Sequence, residues 1–272
     1  MAKAAHARVP APNVPPILAV PAVIGLALLV VPLVALTARV DWSNLWRDIT
    51  SEAALTALGL SASTALISTV VCVLIGVPLA LLIARSAPRT GAIVRAVVSV
   101  PLVLPPMVGG VALLFLFGRT SWLGELLSGV GVRIPFSTFA VVLAQTFVAL
   151  PFLVLAVEGS LRSTGTGFDD TAASLGAGRW AVLWRVTLPL AAPGIIAGLI
   201  LCFARAIGEF GATALFAGNA PGVTQTMPLA IYTAFNGAGV SQGAGVALSL
   251  LLLVTALVVL LLVRAWRPGA AR

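Results

Sequence analysis

Arg205 and Glu209 stand four residues apart in the apolar stretch Phe203-Ala204-Arg205-Ala206-Ile207-Gly208-Glu209-Phe210-Gly211-Ala212-Thr213. Ionisable side chains inside an apolar run are costly unless they pair or face a water-filled cavity. A spacing of four puts both on one helix face, within reach of each other. Two chemistries follow: an ion pair that pins its helix against neighbours, or an arginine that lends positive potential to the path of an anion, held in place by the glutamate. A second set lies upstream, where Asp169-Asp170-Thr171-Ala172-Ala173-Ser174-Leu175-Gly176 forms a polar, small-residue island between apolar runs. Thr166 and Asp169 are candidate N-caps, and two acids suit the positive end of a helix dipole. Gly176 suits the left-handed residue that ends a helix. A short helix kept thin by Ala172, Ala173 and Gly176 fits a groove on another protein. The other reading is an interfacial helix lying against a membrane.

Missing residue types narrow the chemistry further. The single histidine, His6, and the single lysine, Lys3, both lie in the first few residues. No histidine-based metal site or catalytic dyad can form, and a phosphate-cradling G-x-x-x-x-G-K-[ST] loop is impossible. If transport here draws on nucleotide energy, the nucleotide sits on a partner. Cys72 and Cys202 fall inside apolar runs and read as small buried hydrophobes, with no disulfide or metal expected.

The elements that position these residues belong in a bilayer. Of the 272 residues 60% are hydrophobic and only 9% are charged, against about 25% charged in an ordinary soluble domain, and the mean hydropathy is +1.12. A spanning helix needs roughly 20 mostly apolar residues. Six runs reach or approach that length, near residues 17–38, 56–84, 92–118, 136–157, 190–210 and 243–264. They are continuously apolar, unlike the alternating strands of a membrane barrel. The expected fold is an all-α polytopic membrane protein. Arg205, 15 residues beyond Leu190, then lies about 22 Å into its span, toward the outer side of a core roughly 30 Å thick.

Net charge of +8 raises the question of nucleic acid, but the distribution argues for topology. With the N-terminus inside, the inner segments hold Lys3, Arg8, Arg85, Arg89, Arg95, Arg162, Arg179, Arg185, Arg264, Arg267 and Arg272, and the outer ones only Arg39, Arg47, Arg119 and Arg133. Such a positive-inside bias implies both termini in the cytoplasm and no nucleic-acid partner. Residues 1–16 read as a flexible cytoplasmic tail, and the first apolar run is too long for a typical signal-peptide core. Trp42 and Trp46 beside Asp41, Asp48 and Glu52 suit an outer interface. Residues 85–95 read as a plain basic turn. Pro101, Pro105, Pro106, Gly109 and Gly110 predict a kinked third span with close packing, and also a bent helix lining a path, with Pro105 and Gly110 as candidates there. Gln145 reads as interhelical glue. Trp180 and Trp184, four apart, share a face that can pack their loop onto the bundle.

The island with its downstream Val186-Thr187-Leu188-Pro189 resembles the cytoplasmic E-A-A-x-x-x-G-x(9)-I-x-L-P motif of permease subunits of ABC importers. Gly176, Val186, Leu188 and Pro189 fall at the motif's spacing, with Asp170 for its glutamate and Thr171 for its first alanine. The 203–213 stretch, Gly218-Asn219, the run Thr224-Gln225-Thr226-Met227-Pro228-Leu229-Ala230-Ile231-Tyr232 and residues 101–110 resemble molybdate and sulfate-type permeases. The likeness spans about 56–264 and is nearest to the molybdate (or tungstate) permeases.

That resemblance implies a type I importer permease fold. It divides the chain into a tail, first span and outer loop (1–55), a core permease domain (56–264) and a short cytoplasmic tail (265–272). It implies that Asp169, Asp170, Thr171, Ala172, Ala173, Leu175, Gly176, Leu188 and Pro189 form the coupling segment that enters an ATPase cleft. It further implies a second copy of the chain, ABC ATPase subunits that bind the ATP and Mg, an extracytoplasmic molybdate-binding protein and surrounding membrane lipid. No cofactor is expected on this chain, and transport by alternating access is expected across the cell's plasma (inner) membrane. A sulfate or thiosulfate permease is the alternative within the class. A membrane-embedded enzyme lacks a nucleophile–base set, and an autonomous channel would not need a groove-sized cytoplasmic helix.

Overall fold

The computed structural model describes residues 15–237 and 242–265, and among them the regular structure is entirely helical. The helices are α1 (Ala19–Ala38), α2 (Leu45–Ile49), α3 (Glu52–Arg85), α4 (Pro88–Val103), α5 (Pro106–Phe117), α6 (Trp122–Gly129), α7 (Thr138–Thr164), α8 (Gly167–Ser174), α9 (Arg179–Val182), α10 (Leu188–Ile207), α11 (Gly211–Phe216), α12 (Met227–Asn236) and α13 (Gln242–Ala265). The protein is a polytopic α-helical membrane protein. Four stretches are continuous, long and apolar enough to cross: α1, α3, α7 and the run Arg179–Ile207; α4 and α5 reach that length only taken together, as a pair bent between them. The six apolar runs read from composition are thus met in kind, with α13 at the sixth position, where Gln242–Val258 forms a shorter apolar helix. The N-terminal tail at 1–14 and the last residues, 266–272, lie outside the described residues.

Helix α7 is the axis of the bundle. Val141, Ala144, Ala149, Leu153, Val154 and Val157 are all buried along it, with α3 on one flank and α10 on another. Backbones approach closely at small residues, as membrane helices require when lipid is as apolar as leucine. Gly198 of α10 lies against the Leu153 backbone and Gly76 of α3 against its side chain. Gly194 is tighter still: a Cβ there would stand 2.2 Å from Ser160 Cβ. Gly194→Ala is therefore expected to cost about 1–3 kcal/mol by overpacking, and Ser160→Gly in the same chain to restore most of it. Thermal midpoints of the detergent-extracted protein check both.

Polar contacts inside the bundle differ from expectation. Gln145 is fully buried, yet neither its amide nitrogen nor its amide oxygen has a hydrogen-bond partner, so it is not the glue between helices. That role falls to its neighbour Thr146, whose hydroxyl lies 3.1 Å from Ser68 Oγ and whose carbonyl accepts from the Cys72 thiol at 3.7 Å. Cys72 and Cys202 are free thiols in one core cluster.

Three other expectations give way. Residues 85–95 are not a plain turn: only Ser86 and Ala87 interrupt the helices, Pro88 opens α4 and Gly91 is buried near the Ile83 carbonyl. Proline is at home there because the first-turn amide has no helical partner to lose. The third span does not merely kink but turns by 110° between α4 and α5. The fifth span ends at Ile207, short of 210, and resumes as α11.

Between α9 and α10, residues Leu183–Thr187 wind as a π-turn, with the Leu188 amide donating to the Leu183 carbonyl. Pro189 explains it, since a proline lacks the amide that would continue the α-ladder and crowds the carbonyl four residues back. Trp180 and Trp184 do not pack this segment onto the bundle. They project outward, 72% and 64% exposed.

Candidate functional site

The residues that could do chemistry gather at two ends of the bundle. At the end carrying Arg85, Arg95 and Arg162 stands α8. Thr166 occupies its cap position, but the Thr166 hydroxyl donates to Asp170 Oδ2 at 3.0 Å and satisfies no backbone amide. Asp169 is no cap either. Its carboxylate turns toward the bundle, where Oδ1 accepts from Thr187 Oγ1 at 3.0 Å and Oδ2 pairs with the Arg85 guanidinium. Both acids still lie in the first turn, where the helix dipole favours them.

The far end of α8 closes as the sequence predicts. Gly176 adopts φ +88°, its amide donates to the Ala173 carbonyl, and the Ala177 amide reaches back to the Ala172 carbonyl. This paired closure needs a left-handed residue, which glycine supplies without a Cβ clash.

The predicted coupling set is thereby divided. Asp170, Thr171, Ala173, Leu175 and Gly176 are exposed, while Asp169 and Ala172 are half-buried. Leu188 and Pro189 open α10 beyond the π-turn. Sequence reasoning missed Phe168, which with Leu175 supplies the bulk of the open face, 63% and 84% exposed. Two bulky apolar side chains on a short helix with acids at its start are what a groove on a protein would receive. Its apolar residues on an otherwise polar stretch were the available signal.

A buried acid nearby was also missed. Glu158, 3% exposed, accepts from Arg95 Nε at 2.9 Å and 3.0 Å, and from Arg162 Nε at 2.7 Å. It ties the middle of α4 to the last turns of α7. Charge-assisted bonds of this kind are the strong ones.

The second site is the gap at 208–210. Arg205 and Glu209 do pair, at 2.6 Å, but not along one helix face, because Glu209 lies past the end of α10. Its Oε1 accepts the Ala212 amide at 2.8 Å, inside the first turn of α11. One carboxylate, 1% exposed, thus bridges two helices and neutralises a guanidinium that is 25% exposed. Pro105 and Gly110 belong to the element packed against this gap. Pro105 is exposed at the α4–α5 bend, whereas Gly110 is buried, with the Ala212 carbonyl 2.7 Å from where a Cβ would be. The Gly218-Asn219 and 224–226 motifs lock the following loop: Asn219 bonds Thr233 at 2.8 Å, Gln225 bonds Asn219 at 3.0 Å, and the Met227 amide donates to Ser61 of α3 at 2.7 Å.

The chain is 52% identical over 248 residues, 91% of its length and 93% of the other's, to the molybdenum transport system permease protein ModB of Mycobacterium tuberculosis strain H37Rv. It is 37% identical over 162 residues to the sulfate transport system permease protein CysW of Synechococcus elongatus, covering 60% of this chain and 57% of that protein. In fold it matches a chain of the bacterial alginate ABC transporter solved with an alginate-bound periplasmic protein, with a TM-score of 0.71 at 20% identity over 93% of this chain and 95% of the other. Residues 76–272 fit the model of the family described as binding-protein-dependent transport system inner membrane component. That match takes in α8, its Gly176 closure, the π-turn and the Arg205–Glu209 gap, and the chain belongs to that family of membrane transport subunits.

Proposed function

We propose that this chain is the permease of an ATP-driven importer of molybdate or tungstate. The observation that carries the mechanism is α8: a short helix closed at its far end by Gly176 and presenting Phe168, Asp170, Thr171 and Leu175 away from the bundle. The substrate class rests on the relative named for molybdenum transport, which matches far more of the chain, and at higher identity, than the one named for sulfate.

Two copies of the chain form the pathway, and ABC ATPase subunits receive α8 of each copy from the cytoplasm. These partners hold the ATP and Mg, since this chain has no phosphate loop. An extracytoplasmic molybdate-binding protein delivers the anion at the opposite face. Both termini are cytoplasmic, following the distribution of arginine. Closure of the ATPase pair moves the docked helices and rocks the spans from inward-open to outward-open. The wall of the outer path is set where α5 meets α11, with Arg205 and Glu209 fastening that junction beside Pro105 and Gly110. Leu188 and Pro189 start the span that carries the movement outward, and lipid surrounds α1.

Proteoliposomes holding the permease, its ATPase and its binding protein test the reading. Labelled molybdate is expected to accumulate only with ATP, and excess sulfate to compete poorly. Efficient competition by sulfate would move the assignment to the alternative anion. Gly176→Trp is the companion variant. No atom lies within 4 Å of a Cβ at that position, so the side chain starts into open space. It adds about 1–2 kcal/mol of left-handed strain and stands on the docking face. The expected result is an intact membrane protein whose ATP-dependent uptake falls below about a tenth, and normal uptake would remove α8 from the docking role.

A further inference from the structure

Helix α8 is attached to its neighbours by weak points. Only Gly165 and Thr166 join it to α7, with Gly165 at φ +71°, and Gly176 and Gly178 follow it. A helix slung between glycine-bearing links would absorb a push as local swinging, and the spans would not feel it. One side chain prevents this. The Asp169 carboxylate reaches Arg85, the last residue of α3, with one oxygen and Thr187, at the foot of α10, with the other. Thr187 is 6% exposed and the Asp169 side chain 14% exposed, so the carboxylate and its hydroxyl partner are largely shielded, while the Arg85 side chain, 35% exposed, keeps contact with water. The π-turn ends at Thr187, and π-turns recur where a helix is bent to a functional use. Arg85 also complements the negative end of the α3 dipole, and Asp169 the positive end of the α8 dipole.

We propose that Asp169 is the positioning residue that turns displacement of α8 into displacement of α3 and α10, whereas Asp170, one residue on, faces outward. This rests on the importer reading above and names the joint within it. With α7 joined covalently and α3 and α10 joined through one carboxylate, α8 holds all three helices of the central core.

The experiment uses the complete reconstituted transporter and compares Asp169→Asn, Arg85→Gln and Thr187→Val. The readout is substrate imported per ATP hydrolysed, together with pulsed-EPR distances between spin labels at Ser174, exposed on α8 and outside the coupling set, and Ser86. Asp169→Asn is expected to lower the import ratio by about fivefold or more, the scale of a typical coupling energy, and to broaden the label distance. Thr187→Val should do the same to a smaller degree. A ratio within about twofold of the unsubstituted protein, or an unchanged distance distribution, overturns the joint. So does loss of ATPase retention by Asp169→Asn, which would make Asp169 a docking residue. Should that variant fail to accumulate, Arg85→Gln and Thr187→Val cut the same contacts from the other side. If the unsubstituted chain retains no ATPase, it is the importer reading that fails, and the inference falls with it.

Discussion

Replacing Glu209 by alanine is expected to strip most of the folded protein from the membrane fraction. The carboxylate has two duties, pairing with Arg205 at 2.6 Å and accepting the Ala212 amide at 2.8 Å. Without it a guanidinium is left unpaired in a low-dielectric setting, and the first turn of α11 loses an acceptor. Removing one partner of a buried pair costs about 3–5 kcal/mol, and an orphaned amide about 1–3 kcal/mol, a large part of a typical total stability of roughly 5–15 kcal/mol. Glu209→Gln keeps an amide oxygen for Ala212 and loses only the charge, so its yield should fall between alanine and the unsubstituted protein. Size-exclusion profiles of detergent extracts give the comparison. A full yield from alanine sinks the account, and equal yields from alanine and glutamine sink the part played by the Ala212 amide. The same geometry limits the reciprocal swap of Arg205→Glu with Glu209→Arg: arginine has no acceptor, so recovery should be partial even where the charges pair.

Gly110→Ala is the second large effect. Its new Cβ would stand 2.7 Å from the Ala212 carbonyl oxygen and 2.9 Å from Ala212 Cα, both backbone atoms. A flexible side chain could move aside; these cannot without parting α5 from α11. The cost should reach the upper end of about 1–3 kcal/mol for overpacking, with a lowered thermal midpoint and reduced uptake. Gly59→Ala in α3 is the control, because a Cβ there meets nothing within 4 Å. There, alanine should hold or slightly raise stability, by up to about 1 kcal/mol, as in any exposed helix interior. Equal behaviour of the two variants would show that the α5–α11 contact yields easily.

What the sequence made legible was local. The Gly176 closure, the Arg205–Glu209 partnership and the helical, apolar character of the spans follow from residue type and spacing; the structure carries the closure in full, the pair across a helix end in place of one helix face, and the spans with the third one bent. Relationships across the chain were not legible. Asp169 looks like an N-cap because local rules see only its own turn, yet Arg85, 84 residues away, decides its orientation. Glu158 meets Arg95 across 63 residues, so nothing near either announces the contact. Gln145 carries the usual signature of a helix-to-helix hydrogen bond and makes none, since Ser68 and Cys72 are set opposite Thr146 instead. Prolines at 105 and 106 announced a kink, but the 110° turn the chain makes there depends on what α5 packs against.

That bend solves a problem of amide supply. A helix that restarts within a bilayer normally exposes four N–H groups that lipid cannot satisfy. Here Pro106, the first residue of α5, has no N–H, and neither does Pro105 before it; Val108 and Gly109 donate to the Pro105 carbonyl at 2.9 Å and 3.4 Å. Met107 remains, and its nitrogen lies beside Gly211, 3.1 Å from where a Cβ would be. The turn therefore asks for a single outside acceptor, and a chain can fold sharply at membrane depth without opening a wet gap to do so.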